Sequence, residues 1–166
     1  MLQAPYPELD DLLEMMGEAG KRLSEIEASE GAAGNISVCL RWNIEPRTRF
    51  PVMEEIELPQ PVPELAGATF LVSGSGRRLR EIIDEPSANI GCIVVNDGGR
   101  TGKLYVSHHR RFERVTSEFN SHLAVHYDQM LANKTNFHAV IHAQPPYMTY
   151  LSHVPRYQDE TARVDY

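Results

Sequence analysis

The chain has 166 residues, 42% of them hydrophobic, the size of a single domain with enough apolar surface for one core. Its 23 acidic and 16 basic residues leave a formal charge of -7, which excludes a large nonspecific attraction to nucleic acid or anionic membranes; an anionic ligand needs a local site. The first residues, with Pro5, Pro7, Glu8, Asp10 and Asp11, lack the basic and apolar regions of a leader, and no run approaches transmembrane length, so a cytoplasmic, soluble protein is expected.

Between Pro7 and Ile26, Leu9, Leu12, Leu13, Met16, Ala19, Leu23 and Ile26 recur at three-four spacing and predict an amphipathic helix. After Gly31 and Gly34 the period drops to two. Ile36, Val38, Leu40 and Trp42 alternate with Ser37, Cys39 and Arg41, as in a half-buried strand. Asn43 to Pro63 contains Pro46, Pro51, Pro59, Pro61 and Pro63 and reads as an excursion with room for short edge strands. Phe70 to Val72 reads as a strand and Gly74 to Gly76 as a tight turn. Ile90 to Val95 is a buried strand whose hairpin partner, across Asp97, Gly98 and Gly99, is Leu104 to Val106. Thr116 or Ser117 is placed to cap a helix reaching about Ala132, with Phe119, Leu123, Tyr127, Met130 and Leu131 on its apolar side. A strand from Phe137 to Ile141 follows, Pro145 and Pro146 end it, and Tyr147 to Leu151 has the apolar density of a short helix. The fold expected is α/β, one domain over residues 1–166, with a central, largely antiparallel sheet flanked by helices. Cys39 and Cys92 sit in separate apolar stretches without partners at metal spacing, which favours reduced, half-buried thiols over a disulfide.

Three short segments place small or hydroxyl-bearing residues where a strand or helix begins or ends: Gly34-Asn35, Ser73 to Gly76, and Thr116-Ser117. Glycine lets backbone approach a ligand, Ser and Thr add donors, and a helix start adds partial positive charge, so each segment suits an anion. Turn and cap duty accounts for any one of them alone. Glu118 follows directly, where an acid is also favoured by the helix dipole. His108, His109, His122, His126, His138 and His153 show no spacing that dictates a metal site and read as surface or satisfied core residues. His142 differs. It ends an apolar strand two residues before Gln144, and side chains two apart on extended backbone point the same way, so both can face one ion. A second imidazole would make a better zinc half-site than the amide does.

Taken in order, these segments resemble one family. Gly34-Asn35-Ile36-Ser37 and Thr116-Ser117-Glu118 are similar to the signatures of the class II aldolase and adducin superfamily. Phe70 to Gly76 and Asp84 to Gly91 resemble its rhamnulose-1-phosphate aldolase branch, and the likeness runs from about Glu30 to His153. The resemblance implies a zinc-dependent lyase that cleaves a ketose 1-phosphate into dihydroxyacetone phosphate and an aldehyde, as a homotetramer. It assigns Gly34, Asn35, Ser75, Gly76, Thr116 and Ser117 to the phosphate, Glu118 to proton transfer, and His142 to the metal, with Gln144 at the next ligand position and a further ligand beyond Tyr166. Asp159 to Tyr166 ends without a cap or apolar close, so the segment is expected to be the N-terminal part of such a domain, its sheet incomplete at the C-terminus. A noncatalytic adducin-like binding or assembly module, and an epimerase acting on a sugar phosphate, are the alternatives.

Overall fold

The structure is a computed structural model and describes residues 1–29 and 31–158. Helix α1 (Leu9–Glu25) forms where the three-four spacing predicts it, and its stripe of Leu9, Leu12, Leu13 and Met16 is buried. Glu8 sits at its N-cap and trades hydrogen bonds with Asp11, satisfying N–H groups that a first turn leaves open. Gly17 lets the helix lie against the segment before α2 (Pro86–Asn89): a Cβ there would stand 2.7 Å from the Ile83 Cα.

The strands β1 (Asn35–Leu40), β2 (Val52–Glu57), β3 (Thr69–Ser73), β4 (Ile90–Val95), β5 (Thr101–Val106) and β6 (Phe137–His142) form one six-stranded sheet in the order β2-β5-β4-β3-β1-β6. All neighbouring pairs are antiparallel. The proline-rich excursion supplies the edge strand β2, and the β4–β5 hairpin turns through Gly98 and Gly99, both at positive φ.

Each face of the sheet carries its own core. Ile36, Val38, Leu40, Leu71, Ile90 and Cys92 pack with α1, whereas Cys39, Phe70, Val72 and Ile93 pack with Phe119, Leu123 and Met130 of helix α3 (Phe119–Ala132). Strand β1 is therefore buried along its whole length, not half-buried as its alternation suggested. Cys39 and Cys92 are likewise fully buried, free, and members of different cores; burial pushes both thiols well above their ordinary pKa.

The opposite edge, β6, is half-covered, and helix α4 (Pro146–Ser152) follows it with Tyr147, Met148, Tyr150 and Leu151 exposed. Among the described residues no helix is long and apolar enough to cross a membrane. Asp159 to Tyr166, on which the expectation of an unfinished sheet rested, lies outside the described residues.

Candidate active site

The first residues of β1, the last of β3 and β6, and the start of α3 meet at one end of the sheet. Asn35 opens β1 opposite His142, which closes β6. The Ile36 N–H donates to the Ser73 hydroxyl at 3.1 Å, tying the start of β1 to the end of β3. The turn after β3 is in turn paired with the residues leading into α3: Gly74 bridges Val115, the Thr116 N–H donates to the Ser73 carbonyl at 2.9 Å, and the Ser75 N–H donates to the Arg114 carbonyl at 2.9 Å. Gly34, at φ +112, is held close, since a Cβ there would stand 2.9 Å from the His142 carbonyl oxygen. Residues distant in sequence are thus set side by side by strand pairing and the Ser73 hydroxyl.

Glu118 occupies the N-cap position of α3 itself, one residue earlier than its expected place in the first turn. Neither Thr116 nor Ser117 caps the helix as expected, and no side chain does. The Thr116 hydroxyl oxygen instead accepts the Glu118 N–H at 3.3 Å, and its carbonyl accepts the Phe119 N–H at 3.1 Å. The Glu118 carboxylate is left to reach across: its Oε2 lies 2.6 Å from His142 Nδ1 and accepts from Asn35 Nδ2 at 3.2 Å. Both side chains remain partly open to solvent, 45% for Glu118 and 39% for His142, so a ligand can reach the pair. At 2.6 Å an ionised carboxylate accepts from Nδ1–H, and Nε2 is the ring nitrogen not engaged by Glu118. Asn35 Nδ2, 3.3 Å from the same Nδ1, cannot also donate to a nitrogen that carries a proton; its true partner is the carboxylate.

The donors expected for an anion separate into two groups. The N–H groups of Ser75 and Thr116 are committed to backbone carbonyls, and Thr116 is buried with its hydroxyl oxygen engaged, so in this structure Thr116 shapes the turn. The N–H groups of Gly76 and Ser117 and the hydroxyls of Ser75 and Ser117 make no hydrogen bond among the described residues. These are the groups that remain to receive a ligand oxygen. Gly76 is at φ +70, a conformation that exposes its N–H at little cost only for glycine. Gln144 lies past the end of β6, its backbone bridging Ser29, exposed and without a side-chain hydrogen bond among the described residues.

Sequence reasoning set His122, His126 and His138 aside, yet the structure lines them up behind this site. His122 and His126 face the sheet from successive turns of α3, and Ser37 Oγ lies 2.7 Å from His122 Nδ1 and 2.7 Å from His126 Nε2. His126 Nδ1 is 2.9 Å from His138 Nδ1 on β6. Desolvation holds all three rings below the ordinary histidine pKa, His126 down to about 3, where the neighbouring His138 and His122 add repulsion. The available signal was the four-residue spacing of His122 and His126, which puts them on one helix face with Phe119, Leu123 and Met130.

A model of the class II aldolase and adducin N-terminal domain matches residues 14–164. The chain belongs to this family. Rhamnulose-1-phosphate aldolase from Yersinia pestis (strain Pestoides F) is 29% identical over 133 residues, 78% of this chain and 48% of that protein. Its counterpart from Yersinia pseudotuberculosis serotype O:1b (strain IP 31758) is 30% identical over the same length and shares. The chain therefore spans about half the length, 48%, of these family members. Among solved structures, a sugar-phosphate aldolase from Thermotoga maritima superposes with a TM-score of 0.68 at 22% identity, covering 90% of this chain and 60% of that one, which establishes the shared fold.

A family of this kind raises the question of a metal. Among the described residues no three His, Cys, Asp or Glu side chains converge where they could hold an ion. His142 offers one imidazole nitrogen and Gln144 one neutral amide oxygen, fewer and weaker donors than a zinc site takes. The donors of this segment do not by themselves compose a metal centre.

Proposed function

We propose that this protein is an aldolase acting on a ketose 1-phosphate, of the rhamnulose 1-phosphate type, with Glu118 as its proton-transferring group and the turns at Ser75-Gly76 and Thr116-Ser117, beside Gly34-Asn35, as its phosphate cradle. The observation that carries this reading is the Glu118 carboxylate, released from capping duty and held 2.6 Å from His142 and 3.2 Å from Asn35 at a solvent-accessible point beside uncommitted N–H and hydroxyl donors.

Cleaving the carbon–carbon bond of a ketose phosphate removes a proton from the hydroxyl of the departing aldehyde and leaves an enediolate that must be protonated on carbon. A single carboxylate serves both transfers if it is ionised at rest and lies within reach of both atoms. The hydrogen bonds from Asn35 Nδ2 and His142 Nδ1 fix its position. Phosphate held by the Gly76 and Ser117 N–H groups would anchor the far end of the substrate, so that its reacting carbons stay in register with Glu118. His142 Nε2 and Gln144 are the donors this segment would contribute to a divalent ion such as zinc.

The weak donor set at position 144 favours a second reading, a noncatalytic binding or assembly module that keeps the fold without the chemistry. Incubating the full-length protein with a ketose 1-phosphate and assaying dihydroxyacetone phosphate decides between them: its release supports the aldolase, an epimeric ketose phosphate replaces it with an epimerase, and unchanged substrate supports the module.

A further inference from the structure

Beneath Glu118, a strip of polar side chains runs between α3 and the β1–β6 edge of the sheet, where the rest of the interface is apolar. Asn35 and Ser37, two apart, share one face of β1, and Glu118, His122 and His126 follow one another by single turns along the facing side of α3. The distances join four of these groups without a gap: His138 Nδ1 to His126 Nδ1 at 2.9 Å, His126 Nε2 to Ser37 Oγ at 2.7 Å, and Ser37 Oγ to His122 Nδ1 at 2.7 Å. Two ends are open. Asn35 Oδ1 and His122 Nε2 are buried without a hydrogen-bond partner among the described residues, both in this strip. The third such atom, on Arg110, lies beside Glu54 of the far edge strand.

Neutral imidazole carries one proton, so if the Ser37 hydroxyl donates within the chain, the chain can be ordered in two ways. In one, His122 donates from Nδ1 to Ser37, Ser37 donates to His126, and His126 donates to His138; His122 Nε2 is then a bare lone pair. In the other, His138 donates to His126, His126 donates from Nε2 to Ser37, and Ser37 donates to His122 Nδ1; His122 Nε2 then bears the proton. The two settings differ by moving one proton across each link, one taken up at His122 Nε2 and one released at His138 Nε2, or the reverse. The Asn35 amide chooses between them. Its Nδ2 donates to the Glu118 carboxylate, so its oxygen is the buried atom that needs a donor. The first setting would leave two buried acceptors without a donor, at a cost of about 1–3 kcal/mol for each group left unsatisfied.

We infer that these side chains form one ordered hydrogen-bond chain, His138 to His126 to Ser37 to His122 to Asn35 to Glu118, in which every donor points toward the Glu118 carboxylate and His122 Nε2–H supplies the donor that Asn35 Oδ1 lacks, the one link not already made in the structure. Ser37, His122 and His126 are then positioning residues. They orient the Asn35 amide and hold the first turns of α3 against β1, and their aligned bond dipoles present a positive end to the carboxylate. The depressed titration of all three histidines agrees, because it keeps each ring neutral at pH 7. The catalytic part of this inference rests on Glu118 acting as proposed above; the chain itself does not.

Two measurements on the full-length protein test it. Ring-nitrogen spectra of labelled histidine at neutral pH should place the proton of His122 on Nε2, of His126 on Nε2, and of His138 on Nδ1; Ser37→Ala should displace the His122 and His126 signals together, and Ser37→Thr should restore them. A His122 proton on Nδ1, or an imidazolium at any of the three, overturns the inference, and the unsubstituted protein alone suffices to show it should Ser37→Ala fail to fold. In the cleavage assay, Ser37→Ala should lower kcat about tenfold or more with KM little changed, and Ser37→Thr should recover it, the pattern of lost orientation and not lost binding. Normal turnover by Ser37→Ala overturns the positioning role. If the unsubstituted protein cleaves nothing, the aldolase reading fails while the spectra still decide the chain.

Discussion

Lowering the pH from about 7 to about 5.5 is expected to destabilise this protein well before its carboxylates titrate, and the size of the effect follows from one buried ring. His126 is fully buried, and desolvation with its histidine neighbours lowers its pKa from 6.5 to about 3. The folded chain thus keeps the ring neutral while the unfolded chain protonates it. Since the folded value is the depressed one, the stabilisation is complete above the unfolded pKa and is lost as pH falls from there toward the folded value. Each unit within that window costs about 1.4 kcal/mol per proton, so the step from about pH 7 to about pH 5.5 removes roughly 1.2 kcal/mol through His126 alone. His122 and His138 are shifted in the same direction and add to the loss. Asp10 and Glu64, whose carboxyls are held below their ordinary range by Arg49 and Tyr127, act only at lower pH and leave this window clear. Urea unfolding at fixed ionic strength should show the loss, and His126→Gln, although less stable at neutral pH, should show a pH dependence smaller by about one proton. Equal acid sensitivity in the two proteins would refute the reasoning.

Leu123→Ala, which empties the centre of the α3-side core, should lower stability by about 2–5 kcal/mol without altering the geometry around Glu118, as read by urea unfolding. Gln144→His should strengthen zinc binding in a calorimetric titration, because imidazole is the better ligand; unchanged affinity would mean that position 144 points away from the ion. The full-length protein should sediment as a homotetramer at micromolar concentration, with the exposed apolar residues of α4 as one candidate for contact; a monomer would count against assembly.

Where apolar periodicity was simple, the fold was legible. The continuous run from Ile90 to Val95 is strand β4 with the same bounds, and the stripe from Leu9 onward is α1. The reading failed where polar side chains face inward. The alternation of Ser37 and Cys39 with Ile36 and Val38 looked like a wet face opposite a dry one, but α3 covers that face and Ser37 meets histidines there. For the same reason the buried side of α3 was read too far round: Tyr127 and Leu131 are only partly buried, Tyr127 donating to Glu64 at 2.6 Å, while His122 and His126 are inside. Of the site, the residues were legible as separate turn and cap motifs, and their convergence was not, because it depends on which strands pair. The release of Glu118 from the first turn to the N-cap, and so toward His142, is a matter of backbone angles that residue types alone leave open.

The most direct test of the account is to measure turnover and melting temperature on one preparation of Glu118→Gln. The substitution keeps the size and a hydrogen-bonding oxygen beside Asn35 and His142 but removes the carboxylate. If Glu118 moves protons, cleavage of a ketose 1-phosphate should fall by roughly a hundredfold or more, the usual scale for a lost general acid or base, while phosphate binding survives. If the carboxylate serves only the helix dipole, the change costs about 1 kcal/mol or less of stability and turnover stays nearly intact. A lowered melting temperature with full turnover would contradict the account and remove Glu118 from the chemistry.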